Sequence, residues 1–198
     1  MTELTHITID IETLGFASDT VVLSIGAAAF TFDAERPNVY DDYILNGFYA
    51  KLDAKEQISR YSRTMDDDTI NWWKTQPEEA RKVTRPSSED LPMREALLRL
   101  NAWINASGYD YKNSFAWSRG TYFDYPKLEH MYRQVGLEPG YNGWKIRDTK
   151  TYFDVLQGTS HGLYNKKVLP KGFIHHDALH DAAVDAYRMV ELFRSLVG

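Results

Sequence analysis

Within Ile7-Thr8-Ile9-Asp10-Ile11-Glu12 the isoleucines take every second position, and Thr8, Asp10 and Glu12 take the others. A period of two is that of a β-strand, where residues two apart point to the same face. The segment therefore reads as a half-buried strand with two carboxylates side by side on its polar face. Two such charges repel and raise each other's pKa unless a cation lies between them. A divalent metal resolves the repulsion. Oxygen-only ligation suits Mg2+ or Mn2+, ions that polarise phosphoryl oxygens and generate hydroxide from water. Taken alone, the pair fits a strand end with solvated acids better than a metal site.

A second dense group lies near the other end, in His175-His176-Asp177-Ala178-Leu179-His180-Asp181. Five residues of helix turn about 500°, so His176 and Asp181 would face directions about 140° apart on a regular helix. They reach one site only if His176 precedes the helix or sits in its first turn, with Asp177 as a cap. A histidine at the positive end of a helix tends to be neutral, the form a general base requires. Asp124 follows a short predicted strand and turn, at a sheet edge where Asp10 and Glu12 also emerge. Each residue has an ordinary reading too, as a helix acid or a hydrogen-bonded histidine; their joint occurrence shifts the balance.

These motifs resemble the DEDDh 3'-5' exonucleases of the ribonuclease H-like fold, matching at Asp10-Ile11-Glu12, at Tyr122-Phe123-Asp124-Tyr125 and at His176 through Asp181. Trp72-Trp73-Lys74-Thr75-Gln76, Glu79-Ala80-Arg81-Lys82, Arg119-Gly120, Arg147-Asp148 and Leu169-Pro170-Lys171-Gly172 narrow the resemblance to the exonuclease A group of T-even bacteriophages. It implies hydrolysis of a phosphodiester at a 3' end, with Asp10, Glu12, Asp124 and Asp181 holding two Mg2+ or Mn2+. His176 would accept the proton of the attacking water, and nucleoside 5'-monophosphates would leave. The preferred substrate is single-stranded DNA, with an exoribonuclease or oligonucleotide-degrading enzyme as the alternative. A phage origin follows from the same likeness. Thr13, Leu14 and Gly15 would meet the terminal nucleotide, an apolar side chain wedging against the last base. Trp72 and Trp73 are adjacent and so point about 100° apart on a helix; core packing accounts for the pair more simply, yet one could stack on a base, and Trp73 is assigned to substrate, as is Arg119, which could equally support the site from behind. Asp148 and the loop lysines Lys166, Lys167 and Lys171 are weaker candidates, and His175 and His180 read as bystanders.

The elements that position these residues are legible in outline. Val21 to Phe30 reads as a second strand, with Gly26 allowing close packing, and Val39 to Leu45 as a third, completing an antiparallel meander. Helices are predicted over Thr69 to Gln76, from Pro77 to about Val83, and from Ser88 or Glu89 to Asn105. Asn113 to Trp117 and Lys145 to Asp148 read as later strands, each followed by a helix, near Tyr122 to Val135 and Thr149 to Leu156. Gln157 to His175 is a long loop. The last helix places Leu179, Ala182, Ala183, Ala186, Val190, Phe193 and Val197 inward. The result is an α/β, ribonuclease H-like fold: a mixed five-stranded sheet, meander first and parallel strands after, flanked by helices.

Composition sets the outer limits. The 198 residues suit a single domain, 1–198, with ordinary hydrophobic (43%) and charged (26%) content. No apolar run approaches the roughly 18 residues of a membrane span, and Met1 to Thr5 lacks signal-peptide character, so a cytoplasmic protein is expected. The absence of cysteine excludes thiolate metal sites and thiol nucleophiles. A net charge of -5 opposes broad affinity for nucleic acid, yet four metal-bound carboxylates would account for most of it. Two rivals fail to absorb the motifs. An HD-type phosphohydrolase is all-helical and needs further histidines, of which only His6, His130 and His161 remain. An inactive binding module would be signalled by loss of a motif residue, and all five are present.

Overall fold

The computed structural model describes residues 4–165 and 168–197; Lys166 and Lys167 lie outside them. Five strands form one sheet in the order β3-β2-β1-β4-β5. Strand β1 (His6–Thr13) pairs antiparallel with β2 (Val22–Phe30), which pairs antiparallel with β3 (Phe48–Lys51). On its other side β1 runs parallel to β4 (Ala116–Ser118), and β4 parallel to the edge strand β5 (Ile146–Asp148). This is the mixed sheet the sequence implies.

The connections carry the helices. Between β2 and β3 lies α1 (Tyr40–Leu45). Between β3 and β4 come α2 (Ala54–Tyr61), α3 (Asp67–Thr75), the single turn α4 (Glu78–Arg81) and α5 (Met93–Ala106). Helix α6 (Thr121–Val135) follows β4, α7 (Thr149–Gln157) follows β5, and α8 (Ala178–Val197) ends the chain. Among the described residues no helix is long and apolar enough to cross a membrane.

Strand β1 is buried on both faces rather than one, because each face has its own helical cover. Ile7, Ile9 and Ile11 point into an apolar core with Met93, Leu97 and Leu100 of α5 and Leu128 and Met131 of α6. The opposite face lies under α8, where the Thr8 hydroxyl donates to the Ala182 carbonyl at 2.8 Å. Helix α8 can approach this closely because it meets the sheet through Ala178, Ala182, Ala183 and Ala186 and because β2 offers Gly26 there. A Cβ built on Gly26 would lie 2.1 Å from the Ala178 carbonyl carbon, so any side chain would lift the start of α8 off the sheet.

Several expected boundaries move. Val39 to Leu45 is not a strand: Asp41 and Asp42 enter the first turn of a short helix and the Asn46 amide closes onto Asp42. The third strand comes later, at Phe48–Lys51, where burial alternates. Helix α2 is not among the expected elements, although Ala54, Ile58 and Tyr61 recur along it at spacings of four and three. Asp53 caps it, and its buried residue is Gln57, whose side-chain amide pairs with the Val22 backbone at 2.9 and 2.7 Å. Helix α5 starts after Pro92 rather than at Ser88 or Glu89. Asn113 belongs to a turn closed onto Asp110, so β4 begins only at Ala116. Val197, expected inward, is exposed at the end of α8, whereas Met189 and Leu192 are buried.

Candidate active site

Asp10 and Glu12 leave β1 near its C-terminal end on the face that α8 covers, and both lie beneath the start of that helix. Asp177 begins α8, its carboxylate accepting from the Leu179 and His180 amides at 3.1 Å. His176 precedes the helix in a left-handed conformation, φ 58°. Its amide donates to Asp181 Oδ2 at 2.9 Å, so the turn folds back on the first turn of α8. Through this turn the five-residue spacing becomes a single site: donor atoms of Glu12, His176 and Asp181 all lie within 4.8 Å of one another. Asp124 arrives from the first turn of α6, launched by Gly120 at φ 93°.

The acids are strongly perturbed. Burial pushes Asp10 and Glu12 well above the usual carboxylate range, and the neighbouring acids push them further. Asp124 and Asp181 rise to about 7, chiefly by burial. Asp124 Oδ2 is buried without a hydrogen-bond partner. A partnerless buried carboxylate oxygen beside other crowded acids is what a site for a hard cation looks like when read from its protein groups. The donor set, oxygen with no sulfur, fits Mg2+ or Mn2+. His176 is held below the ordinary histidine value by burial and by His175, so its imidazole is neutral at pH 7.

Glu12 also lines a mostly apolar pocket of about 380 Å³ with Thr13, Gly15, Phe16, Trp72 and Phe123. Here the residues assigned to substrate divide. Trp73 is 3% exposed and its indole N–H donates to the Thr13 carbonyl, fixing the loop after β1 from below. Trp72 is the accessible indole, its ring edge-on to the His176 imidazole at 4.8 Å. Leu14 turns partly into a small core around Val21, Leu23 and Trp73. Phe16, 78% exposed, occupies the mouth against the ring of Phe123. Thr13 is buried, its hydroxyl donating to the Gly15 carbonyl at 2.9 Å. Arg119 faces inward, forked onto buried Asp185, which also accepts from the Thr149 hydroxyl at 3.0 Å. Asp148 caps α7 and accepts from the Gly120 amide at 2.9 Å, tying β5 to the turn before Asp124.

Four residues with parts in this site escape the sequence. Asp185 lies one helical turn after Asp181, a spacing that puts both on one face. Phe16 and Trp72 carry no signal separating them from Leu14 and Trp73, since exposure depends on what packs beneath. Buried Arg63 anchors the same loop through Ser18 and Thr20 carbonyls and reaches Gln134 of α6 at 2.8 Å; its ligands come from distant segments.

The 3'-5' exoribonuclease Rv2179c-like domain family matches residues 5–192. The exodeoxyribonuclease of Enterobacteria phage T4 is 32% identical over 208 residues, covering 96% of this chain and 89% of that protein. Among solved structures, the nuclease domain of 3'hExo, a DEDDh family member bound to rAMP, superposes with a TM-score of 0.62 at 13% identity, covering 96% of this chain and 93% of that one. Cell-death related nuclease 4 gives 0.59 at 13% identity, covering 98% and 63%. At this identity the two structures speak to the fold.

Proposed function

The chain belongs to the 3'-5' exoribonuclease Rv2179c-like family and is a 3'-5' exonuclease, and on that premise we propose that it removes nucleoside 5'-monophosphates from the 3' end of single-stranded DNA, as one catalytic domain over 1–198. The observation that carries this reading is that Glu12 belongs both to the cluster with His176 and Asp181 and to the wall of the apolar pocket. A terminal base in that pocket brings its own phosphodiester beside the acids.

Asp10, Glu12, Asp124 and Asp181 are the residues that would hold two Mg2+ or Mn2+. When bound, such ions offset the phosphate charge and acidify the attacking water. His176, neutral and without a hydrogen-bonded acid on its ring, takes the proton of that water as the new oxygen–phosphorus bond forms and the bond to the 3' oxygen breaks. Phe16, Phe123 and Trp72 hold the base by stacking and apolar contact, which suits any sequence. Arg119, neutralised by Asp185, positions α8 against β4 rather than meeting substrate.

The deoxyribose preference is supported by the phage relative, whose name is exodeoxyribonuclease. The second reading, an exoribonuclease, is favoured by the description of the family. DNA and RNA of one sequence, labelled at the 5' end and either free or blocked at the 3' end, separate the two. With Mg2+, DNA with a free end is expected to shorten stepwise, and EDTA or Asp10→Asn to abolish shortening. Faster loss of RNA would overturn the sugar preference. Cutting of blocked ends would overturn the polarity.

A further inference from the structure

A second feature lies along the outer edge of the sheet, beyond the turn that precedes Asp124. Among the described residues strand β5 has no neighbour beyond it, and between β5 and the outer side of α7 runs a groove of about 480 Å³ floored by Trp117, Ile146, Tyr152 and Val155. Its inner end reaches Thr121 and Asp148, the residues flanking the turn that launches Asp124. Over that turn stand Tyr122, 79% exposed, and Lys150; a methyl on Gly120 would lie 3.5 Å from the tyrosine ring and 3.7 Å from the ammonium. At the outer end Trp144 is 92% exposed. Beside it Arg147 lies 4.6 Å above the Phe115 ring and Lys145 5.5 Å from it.

Some exposed cations of α2, α4 and α5 are tied to glutamates, Arg60 to Glu56, Arg81 to Glu78 and Arg99 to Glu95, while Lys55 and Arg94 on the same helices stand apart from any exposed ring cluster of this kind. Among the described residues, Lys145, Arg147 and Lys150 have no such acidic partner. The one carboxylate in the groove, Asp148, is occupied by the amides of Gly120, Thr121 and Thr151. An acidic protein thus keeps cations without acidic partners interleaved with exposed aromatic rings on one edge, whose inner end adjoins the turn before Asp124.

We propose that this edge is a track for the single strand upstream of the terminal nucleotide, with phosphates met by Lys150, Arg147 and Lys145 and a base stacked on Trp144. The proposal rests on the nuclease reading above and deepens it. Strand β5 spans Ile146–Asp148 and Trp144 sits in the 3-10 turn Gly143–Lys145 before it, so the edge from Asp148 back to Trp144 is at most about 13 Å long, room for a short stretch of strand. Stacking and backbone charge read no sequence and suit processing of arbitrary strands. The track makes the enzyme sensitive to substrate length.

The experiment compares KM for single-stranded DNA of two and eight nucleotides, with Mg2+, in wild type, Trp144→Ala, Trp144→Phe and Lys145→Ala/Arg147→Ala. In wild type the longer strand is expected to bind at least tenfold better. That ratio collapses in Trp144→Ala and the double variant and is restored by Trp144→Phe. The double variant also lowers the salt slope of KM by about 0.7 for each phosphate it no longer neutralises. A length ratio and salt slope unchanged in all variants would overturn the track. So would a concentration-dependent dimer of wild type, seen by sedimentation and abolished in Trp144→Ala with the length ratio intact, which would assign the edge to a second copy of the chain. Absence of any nuclease activity in wild type would count instead against the catalytic reading, a result distinct from active enzyme without length dependence.

Discussion

The two faces of β1 are built from alternate residues of one strand and are buried to similar depth, yet they are opposites in chemistry. Ile7, Ile9 and Ile11 close a dry core under α5 and α6. Thr8, Asp10 and Glu12 lie under α8, where burial gives no apolar gain and drives two carboxylates away from their charged form. One face stores stability, and the other spends it to crowd anions that a cation can unite. Stability and activity should therefore come apart at adjacent positions.

The largest effect expected is on the acidic face. Asp10→Asn should lower kcat by about 10⁴-fold, the upper end of what a single catalytic group supplies, while raising the melting temperature in EDTA because a crowded charge is gone. Single-turnover kinetics beside thermal melts checks both halves; a melting temperature that falls would contradict the contrast. His176→Ala should cost about 10²- to 10⁴-fold in kcat with the melting temperature unchanged. One residue away on the dry face, Ile9→Ala should destabilise by about 2 to 5 kcal/mol in urea titrations and leave kcat of the folded fraction close to wild type.

Smaller effects mark the ends of the same strand. His6 is buried between Phe30, Phe32 and Phe115, accepts from the Phe115 amide at 3.0 Å, and is lowered by burial to about 4. A folded pKa below the unfolded value means the unfolded chain binds the proton first. The stability His6 allows is complete above about pH 6.5 and is lost as pH falls toward 4, by about 2 kcal/mol at pH 5. The difference in urea midpoint between wild type and His6→Asn, followed from pH 8 to 5, isolates that share. Thr8→Val, removing the bond to Ala182, should cost about 1 kcal/mol and tests whether α8 is held at this point.

The strand alternation and the clustered acids of the last motif were legible because they depend on local spacing: a period of two, and a break before a helix. What stayed hidden depends on partners from elsewhere. Val39 to Leu45 has the composition of a strand and becomes a helix because the edge beside β2 is taken by Phe48–Lys51. Helix α2 turns a glutamine inward because the groove it fills is the backbone of Val22. Nothing local tells Trp72 from Trp73; only the Thr13 carbonyl decides which indole is used up. Arg119 carries the charge of a phosphate ligand and is claimed by Asp185, a residue 66 positions away.

His176 also enters the site by two routes. Its ring is open to a proton, while its own amide, in a left-handed turn, donates to Asp181. Alanine scanning would erase the first and leave the second untouched, so a map of this enzyme drawn from side-chain deletions would record only half of what the residue does. The other half belongs to the main chain, where it can be interrogated by changing the backbone itself, for instance by replacing the amide with an ester.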